Sequence, residues 1–577
     1  MAGVSFLLHV WIIGGAYFHN DDFLYLTWSQ EPLGEFLLKI YNNHLMPLEF
    51  GVVWISQAIA PFSWTVAVVV LLTMWAALLI GCVLLLRRAF GNSLWTLVAL
   101  ALIGLGPLPA AVSVWYASGL QFLPWSACLV WMLYFAVRDA QEPGRWWWAA
   151  CAGTYVVSLG FWQKGLFAAP VVLWLVWRYW PGSGRWGLGN LGRRWILPGA
   201  LVAITLAYLP LYFAVQPSEV LPAKPGADDL LEITWAMIGR VLVPSLFGMP
   251  WGSFGQDIDA HIDPAFPWWL SIVLVQVVIA VIVVSVYRWR SAWNAWALMG
   301  GYAALTIAVF AWGRFDRYGA ILAYDPRYVE DLYIVVALAL PFAFARPLGS
   351  PLSPPKPLRF ESSFGGPVAA LIAGVLMLNA LVLPMLSVGL LWREYPARQF
   401  VESVKATIAA NPGAAFVDRK LPGAVMGDFF LEDANLSRVF TALRRPIDWN
   451  GAGDRLLAFD DQGRAFEPHI LVSSTSVPGF AGSCGYRIIA APGNIELDTT
   501  LFEWIWIGRM EYLAAGSGEA LLSMDGPPIT VPLREGLNTA WFVIVGKGDT
   551  LTLTPPPRVG VCVSEVVLGQ VNYEATK

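Results

Sequence analysis

Tyr17-Phe-His-Asn-Asp-Asp-Phe23 interrupts the first apolar run of this chain with two adjacent carboxylates. Its continuation, Tyr41-Asn-Asn-His-Leu-Met-Pro47, follows Leu33-Gly-Glu-Phe-Leu-Leu-Lys-Ile40, which reads as a short helix with one apolar face. Ionisable side chains at the mouth of a membrane helix are costly unless they bind or react with something. Asp21 and Asp22 therefore mark a candidate functional site. The alternative is that the pair merely ends a helix in headgroup water.

The rest of the composition places that stretch in a membrane protein. The 577 residues are 57% hydrophobic and only 13% charged, with a mean hydropathy of +0.59. This excludes one soluble domain and indicates a polytopic membrane chain. A net charge of -4 without a basic run excludes nucleic acid as a partner. There are 31 Trp and 31 Phe, many near the ends of apolar runs, where rings suit the lipid–water interface. Cys82, Cys128 and Cys151 lie in apolar runs and read as small packing residues. Cys484 and Cys562 lie outside them and can pair in an oxidising compartment. No CxxC or His/Cys array suggests structural zinc. The first apolar run has no basic region ahead of it and enters the Asp pair directly, unlike a cleavable signal peptide.

A transmembrane helix needs about 20 largely apolar residues, fewer if short. Eleven segments qualify, near 3–19, 64–86, 94–112, 117–137, 146–161, 165–180, 195–214, 267–287, 292–312, 332–346 and 367–391. Alternate loops then fall into two groups. One holds Arg87, Arg88, Arg138, Arg145, Arg178, Arg185, Arg193, Arg194, Arg288, Arg290, Arg346, Lys356 and Arg359. The other is poorer in cations, with Lys39, Lys164, Lys224, Arg240, Arg314, Arg317 and Arg327. The first group is cytoplasmic by the positive-inside rule, which puts the N-terminus inside and everything after about residue 392 outside.

With this threading, Asp21, Asp22, His44, Lys164 and Arg327 all reach outer loops or outer helix ends. His44 sits in a loop flanked by two Asn and a Pro, between the Leu33–Ile40 segment and a second amphipathic helix over Pro47–Pro61. Such helices lie on a bilayer surface. Trp115-Tyr-Ala-Ser-Gly-Leu-Gln121 opens the fourth span, and Gln121 either hydrogen-bonds a neighbouring helix or contacts substrate. Lys164, in Phe161-Trp-Gln-Lys164-Gly, either snorkels to headgroups or offers a point charge to a phosphate. In Tyr324-Asp-Pro-Arg327-Tyr-Val-Glu-Asp331, Arg327 offers a planar fork to a phosphate, or pairs with Asp331 one turn later. Tyr328 belongs to the same candidate site. Asp257-Ile-Asp-Ala-His-Ile-Asp263 is either a solvated acidic loop or a hard-cation site.

Beyond residue 391 the composition changes. Residues 392–469 read as a small α/β connector, with an amphipathic helix over Ala397–Ala410 and a strand over Ala414–Asp418. Residues 470–577 hold short alternating runs between turns: Tyr486–Ala491, Glu519–Met524, Ile529–Pro532, Thr539–Val545, Thr550–Thr554 and Val559–Leu568. That pattern suggests a β-sandwich. Trp504, Trp506 and Trp541 either pack in its core or stack on sugars, and His469 is its only histidine.

The layout resembles the GT-C class of polytopic glycosyltransferases over residues 1–391. The resemblance is carried by Asn20-Asp21-Asp22 in a long first outer loop with surface helices, and by basic residues at outer helix ends. The C-terminal β region is similar to the carbohydrate-binding ends of actinobacterial arabinosyltransferases. More narrowly, His-Asn-Asp-Asp-Phe, Tyr-Asn-Asn-His-Leu-Met-Pro, Gln-Lys-Gly-Leu and Arg-Tyr-Val-Glu-Asp-Leu look like a family of actinobacterial membrane proteins, a match that implies no particular reaction.

The class resemblance implies transfer of a sugar from a polyprenyl-phosphate donor to a cell-envelope glycan, lipid or protein, on the outer face of the cytoplasmic membrane. Asp21 or Asp22 would be the general base, because an acceptor hydroxyl needs one to attack. Lys164 and Arg327 would stabilise the departing phosphate. His44, Gln121 and Tyr328 would contact substrate. His44 with Asp21 and Asp22 would alternatively hold a divalent cation such as magnesium, manganese or calcium. A single displacement would invert the anomeric centre. Two other readings stay open: a transporter or flippase of lipid-linked sugar, disfavoured by the absence of an internal repeat, and a non-catalytic envelope scaffold.

Overall fold

The computed structural model describes residues 1–142, 146–180, 195–215, 225–248, 267–315, 319–356 and 365–573. The chain divides into two compact units, Met1–Tyr395 and Pro396–Lys577.

The first unit is helical because its apolar stretches can satisfy their backbone groups only within themselves. Each of the eleven apolar segments contains helix. Among the described residues six are long and apolar enough to cross a membrane: Trp64–Phe90, Leu94–Ser113, Tyr116–Gln141, Ile196–Val215, Trp268–Arg288 and Ala292–Gly313. Four others are shorter: Ala2–Gly15, Trp147–Phe161, Ala168–Tyr179 and Glu330–Phe344. Gly365–Glu394 runs for 30 residues.

Two local breaks position the site. The helix over Leu94–Leu105 stops at Gly106, and Pro107 opens a new one over Pro107–Ser113. A Cβ at Gly106 would collide with the Leu102 carbonyl and the Tyr333 hydroxyl, and that hydroxyl donates to the same carbonyl at 3.1 Å. The second break is at Trp162, where a 3-10 turn over Gln163–Phe167 separates two helices and places Lys164 at their junction.

The two loop groups gather at different places. Arg88 and Arg138 both pair with Glu142, at 2.6 and 2.8 Å. Gln141 donates to the Leu348 carbonyl at 3.0 Å, and Arg288 to that of Lys356 at 2.7 Å. The Asp pair, His44 and the cations Lys164, Arg314 and Arg327 come together in a separate cluster.

In the second unit, the helix over Ala397–Ala410 buries Phe400, Val401, Val404 and Ile408 on one stripe. A three-stranded sheet sets Leu456–Phe459 between Ala415–Phe416, parallel, and Ala465–Phe466, antiparallel. The remaining strands are hydrogen-bonded to one another rather than divided between two sheets. They join into one eight-stranded antiparallel sheet, in the order Ile529–Leu533, Gly518–Ser523, Gly536–Thr554, Gly493–Ala514, Val561–Val571 and Ile470–Thr475, with two short strands at its sides. The reason lies in two long strands of 22 and 19 residues that pair along most of their length. Their inward residues, among them Ile495, Met510, Phe542 and Leu551, make the core.

Gly493–Ala514 was not legible as a strand, since Glu503, Trp504 and Ile505 all stay exposed and blur the alternation. Thr539–Val545 and Thr550–Thr554 are parts of one strand, with register shifts around Gly546 and Gly548, the latter at φ +107°. Trp506 is buried in the core, whereas Trp504 is 53% exposed. Cys484 and Cys562 are disulfide-bonded. The connector and the β region are parts of a single compact unit, divided from the helices at Tyr395/Pro396.

Candidate functional site

The Asp pair opens a short helix over Asp21–Trp28, where carboxylates suit the positive end of the helix dipole. The chain reaches it through Asn20 at φ +43°, a left-handed value uncommon outside glycine. The two carboxylates then do different things. Asp22 is fully buried. Its Oδ2 accepts the backbone N–H of His19 at 2.9 Å, and its Oδ1 that of Ala117 at 2.7 Å. Ala117 lies in the first turn of Tyr116–Gln141, whose N–H groups have no partner within the helix. Asp22 is thus a cap that ties two segments together. Asp21 is half-buried, and its Oδ1 accepts the Tyr41 hydroxyl at 2.9 Å. No described residue donates to its Oδ2.

Burial raises the Asp22 carboxyl well above the ordinary range, and the N–H groups of Ala117 and His19 only partly offset it. Burial also raises Asp21, against the pull of the Arg327 charge and the Tyr41 hydroxyl. A base with a raised pKa suits proton abstraction near neutral pH.

Tyr41 and His44 face each other in a two-residue hairpin, Ile40–Tyr41 with His44–Leu45. Asn42 and Asn43 supply its turn at φ +50° and +64°; asparagine tolerates these angles, which a type I′ turn requires. The hairpin tip is clasped from three directions. Arg314 donates to the Asn42 carbonyl at 3.3 Å and to His44 Nε2 at 2.9 Å. Tyr212 donates to the Asn43 carbonyl at 3.0 Å. Gln163 reaches that carbonyl at 3.3 Å and also bonds His44 Nδ1. Burial first, and the Arg314 charge next, lower the His44 pKa to about 3, so its ring is neutral.

The three side chains expected at a cation site have other partners in this geometry. Both ring nitrogens of His44 are engaged, both oxygens of Asp22 hold backbone N–H groups, and Asp21 is turned to Tyr41. Among the described residues no three His, Cys, Asp or Glu side chains are grouped to hold a metal. Asp257–Asp263, the other cation candidate, lies outside the described residues.

The expected cations are both paired. Lys164 Nζ donates to Asp331 Oδ2 at 2.9 Å, and Tyr302 to the same oxygen at 3.0 Å. Arg327 does not take Asp331. Its Nε and Nη2 both donate to buried Asp325, Nε at 2.7 Å. The physical reason is local: Asp325 caps the 3-10 turn Pro326–Tyr328 and accepts the Arg327 N–H at 2.9 Å, folding the side chain back over it. Asp331, in the first turn of Glu330–Phe344, points instead toward Lys164 and Tyr302. Arg327 also lies 4.0 Å above the Trp115 ring, a cation–π contact that holds its plane. Tyr328 packs edge-on against Phe310 at 5.1 Å. Gln121 donates to Met46 Sδ at 3.0 Å, closing the loop rather than joining two spans.

Three members of the cluster were not singled out from sequence. Arg314 has no carboxylate ion pair among the described residues, and its charge acts on both Asp21 and His44. A lone arginine at the end of an apolar run gave no signal of this. Glu49 is fully buried in the Pro47–Ile59 helix, beside Gln121 and Tyr25, whose side chains offset its burial only in part, and near both aspartates. An acidic residue on an amphipathic surface helix reads as solvated. His19 lay inside the opening stretch without a role, yet it is buried among Trp115, Trp392 and Tyr395.

No protein-family model matches the chain, and no curated protein matches it. Among solved structures it is similar to ArnT from Cupriavidus metallidurans bound to undecaprenyl phosphate, at 14% identity over 80% of this chain and 92% of that one, with a TM-score of 0.38. It is also similar to the arabinofuranosyltransferase AftD from mycobacteria, at 10% identity and a TM-score of 0.37. In that match 99% of this chain spans 58% of the other.

Proposed function

We propose that the protein is a membrane glycosyltransferase that moves a sugar from a polyprenyl-phosphate donor to a glycan, lipid or protein acceptor of the cell envelope. In this reading the first unit crosses the cytoplasmic membrane eleven times and the second unit lies outside. The Cys484–Cys562 disulfide supports that placement, because such bonds persist in oxidising compartments. Exposed Trp504, beside Phe502, gives the second unit a ring on which a sugar can stack.

The single observation that carries the reading is the divergence of the two aspartates. Asp22 holds backbone N–H groups, while no described residue donates to Asp21 Oδ2, which lies within the field of Arg327 and Arg314. Asp21 is therefore the base. Its Oδ2 takes the proton of the acceptor hydroxyl as the new C–O bond forms at the anomeric carbon. The bond from that carbon to the phosphate oxygen breaks, and the electron pair leaves with the phosphate. Attack opposite the leaving group inverts the centre. The phosphate gains its stabilisation from fixed positive charge. In this reading Arg314, with no carboxylate pair among the described residues, and Arg327, whose Nη1 bonds no described residue, supply it. Lys164, tied to Asp331, holds the junction beside them.

The test is a reconstituted assay of the full chain with a panel of polyprenyl-phosphate sugars, wild type against Asp21→Asn. Donor-dependent product that is lost in the variant, with lipid-phosphate binding retained, supports the transferase. Passage of the lipid-linked sugar across liposomes without donor consumption would establish a transporter instead.

A further inference from the structure

His19 joins the Asp loop to the end of the helical unit. Its backbone N–H is held by Asp22 Oδ2 at 2.9 Å. The Asn20 side-chain amide donates to its Nε2 at 2.9 Å. With Nε2 accepting, Nδ1 carries a proton and meets the Tyr395 hydroxyl at 2.5 Å across 376 positions of sequence. The ring is buried and packs edge-on against Trp115 at 4.7 Å, Trp392 at 5.6 Å and Tyr395 at 5.1 Å. Trp115 in turn carries Arg327 above its face.

The residue these contacts bracket is Asn20, held at φ +43° and ψ −108° one position before Asp21. A non-glycine residue keeps such a backbone only where its surroundings over-determine it. The constraint comes from His19 on one side and from the Asp21–Trp28 helix on the other. Release of the His19 ring lets Asn20 relax toward ordinary angles, and the direction of the Asp21 carboxyl follows the Asn20 backbone.

We propose that His19, locked by Tyr395, is a positioning residue that aims the Asp21 carboxylate and seats the Trp115 platform under Arg327. The assignment rests on the reading of Asp21 as the base. It adds a requirement that this reading lacks: the last residue of the helical unit, at the far end of the Gly365–Glu394 helix, sets the geometry of the first loop.

The experiment uses the full-length protein in detergent or liposomes, with Tyr395→Phe, His19→Asn and His19→Gln. Two readouts are taken. One is kcat and KM for whichever donor the wild type consumes. The other is the rate at which a water-soluble carbodiimide labels Asp21, quantified by peptide mass spectrometry, which needs no turnover. Asn can keep a hydrogen bond at the position of Nδ1 and Gln at that of Nε2. Tyr395→Phe and His19→Gln are expected to lower kcat about tenfold with donor KM unchanged, and to change Asp21 labelling at least about threefold. His19→Asn is expected to retain most of both. Unchanged labelling in Tyr395→Phe and His19→Gln overturns the proposal, including where kcat and thermal stability fall together. A wild type that consumes no donor defeats the transferase reading, and the labelling rates then still decide whether His19 positions Asp21.

Discussion

Asp22 and Ala117 lie 95 positions apart in sequence, yet the carboxylate Oδ1 of one accepts the backbone N–H of the other at 2.7 Å. With the second oxygen on the His19 N–H, the carboxylate joins the first loop to the start of the Tyr116–Gln141 helix. Of two neighbouring acids, one holds two backbone N–H groups, and the other keeps an oxygen to which no described residue donates.

The consequence is a split between stability and activity. Asp22→Asn puts an amide donor against a backbone N–H and leaves one of those buried donors unsatisfied. It is expected to cost about 1–3 kcal/mol of stability, read as a lowered melting temperature in detergent. Asp21→Asn keeps the bond to the Tyr41 hydroxyl through its carbonyl and is expected to melt within about 0.5 kcal/mol of wild type, while abolishing turnover. Equal destabilisation by both variants contradicts the division of roles.

Glu49 gives a pH dependence with a definite sign. Burial raises its pKa well above the ordinary glutamate value, which is about 4.3 in an unfolded chain. Above about pH 4.3 the unfolded state therefore releases a proton that the folded state keeps. Its contribution is fully present below that pH and is lost as pH rises toward the folded pKa. Glu49→Gln removes this loss. The variant is expected to match wild type near pH 4 and to melt higher at pH 7, by differential scanning fluorimetry. A variant less stable at pH 7 would show that the Glu49 carboxylate is favoured where it lies.

Lys164 and Asp331 form a pair in which the carboxylate is wholly buried and the ammonium nearly so. Removal of one partner strands the other, so Lys164→Met alone is expected to cost about 3–5 kcal/mol. Asp331→Asn in that background should recover much of the loss, with a coupling of about 0.5–3 kcal/mol in a double-mutant cycle of thermal unfolding. Additive losses would mean that the two charges do not sense each other.

The Cys484–Cys562 bond closes a loop of 78 positions in the second unit. Its removal by Cys484→Ser with Cys562→Ser is expected to destabilise that unit by about 2–5 kcal/mol. Alkylation of unreduced, denatured protein should label Cys82, Cys128 and Cys151 only. Label at Cys562 in the wild type would show that the bond does not form.

What the sequence determined by itself is everything set by neighbours along the chain. Apolar runs with little charge become helices because their backbone groups are satisfied four residues away, and each of the eleven segments contains helix. Phe400, Val401, Val404 and Ile408 share a stripe by spacing alone, and the Ala397–Ala410 helix begins and ends where that spacing does. Asn42-Asn43 fixes a turn through the angles asparagine tolerates. The location of the candidate site was visible in the same way, as carboxylates set into apolar sequence.

Tertiary structure decided which partner each of those residues takes. The burial of Asp22, the choice of Asp325 over Asp331 by Arg327, the pairing of Lys164 with a carboxylate 167 positions away, and the burial of Glu49 all depend on which distant segments meet. The strand over Gly493–Ala514 exists because Gly536–Thr554 lies beside it, not because its own alternation demands it. A carboxylate's partner, and hence its proton affinity and its role, is a property of the space around it. That space is assembled from parts of the chain that carry no local signal of one another.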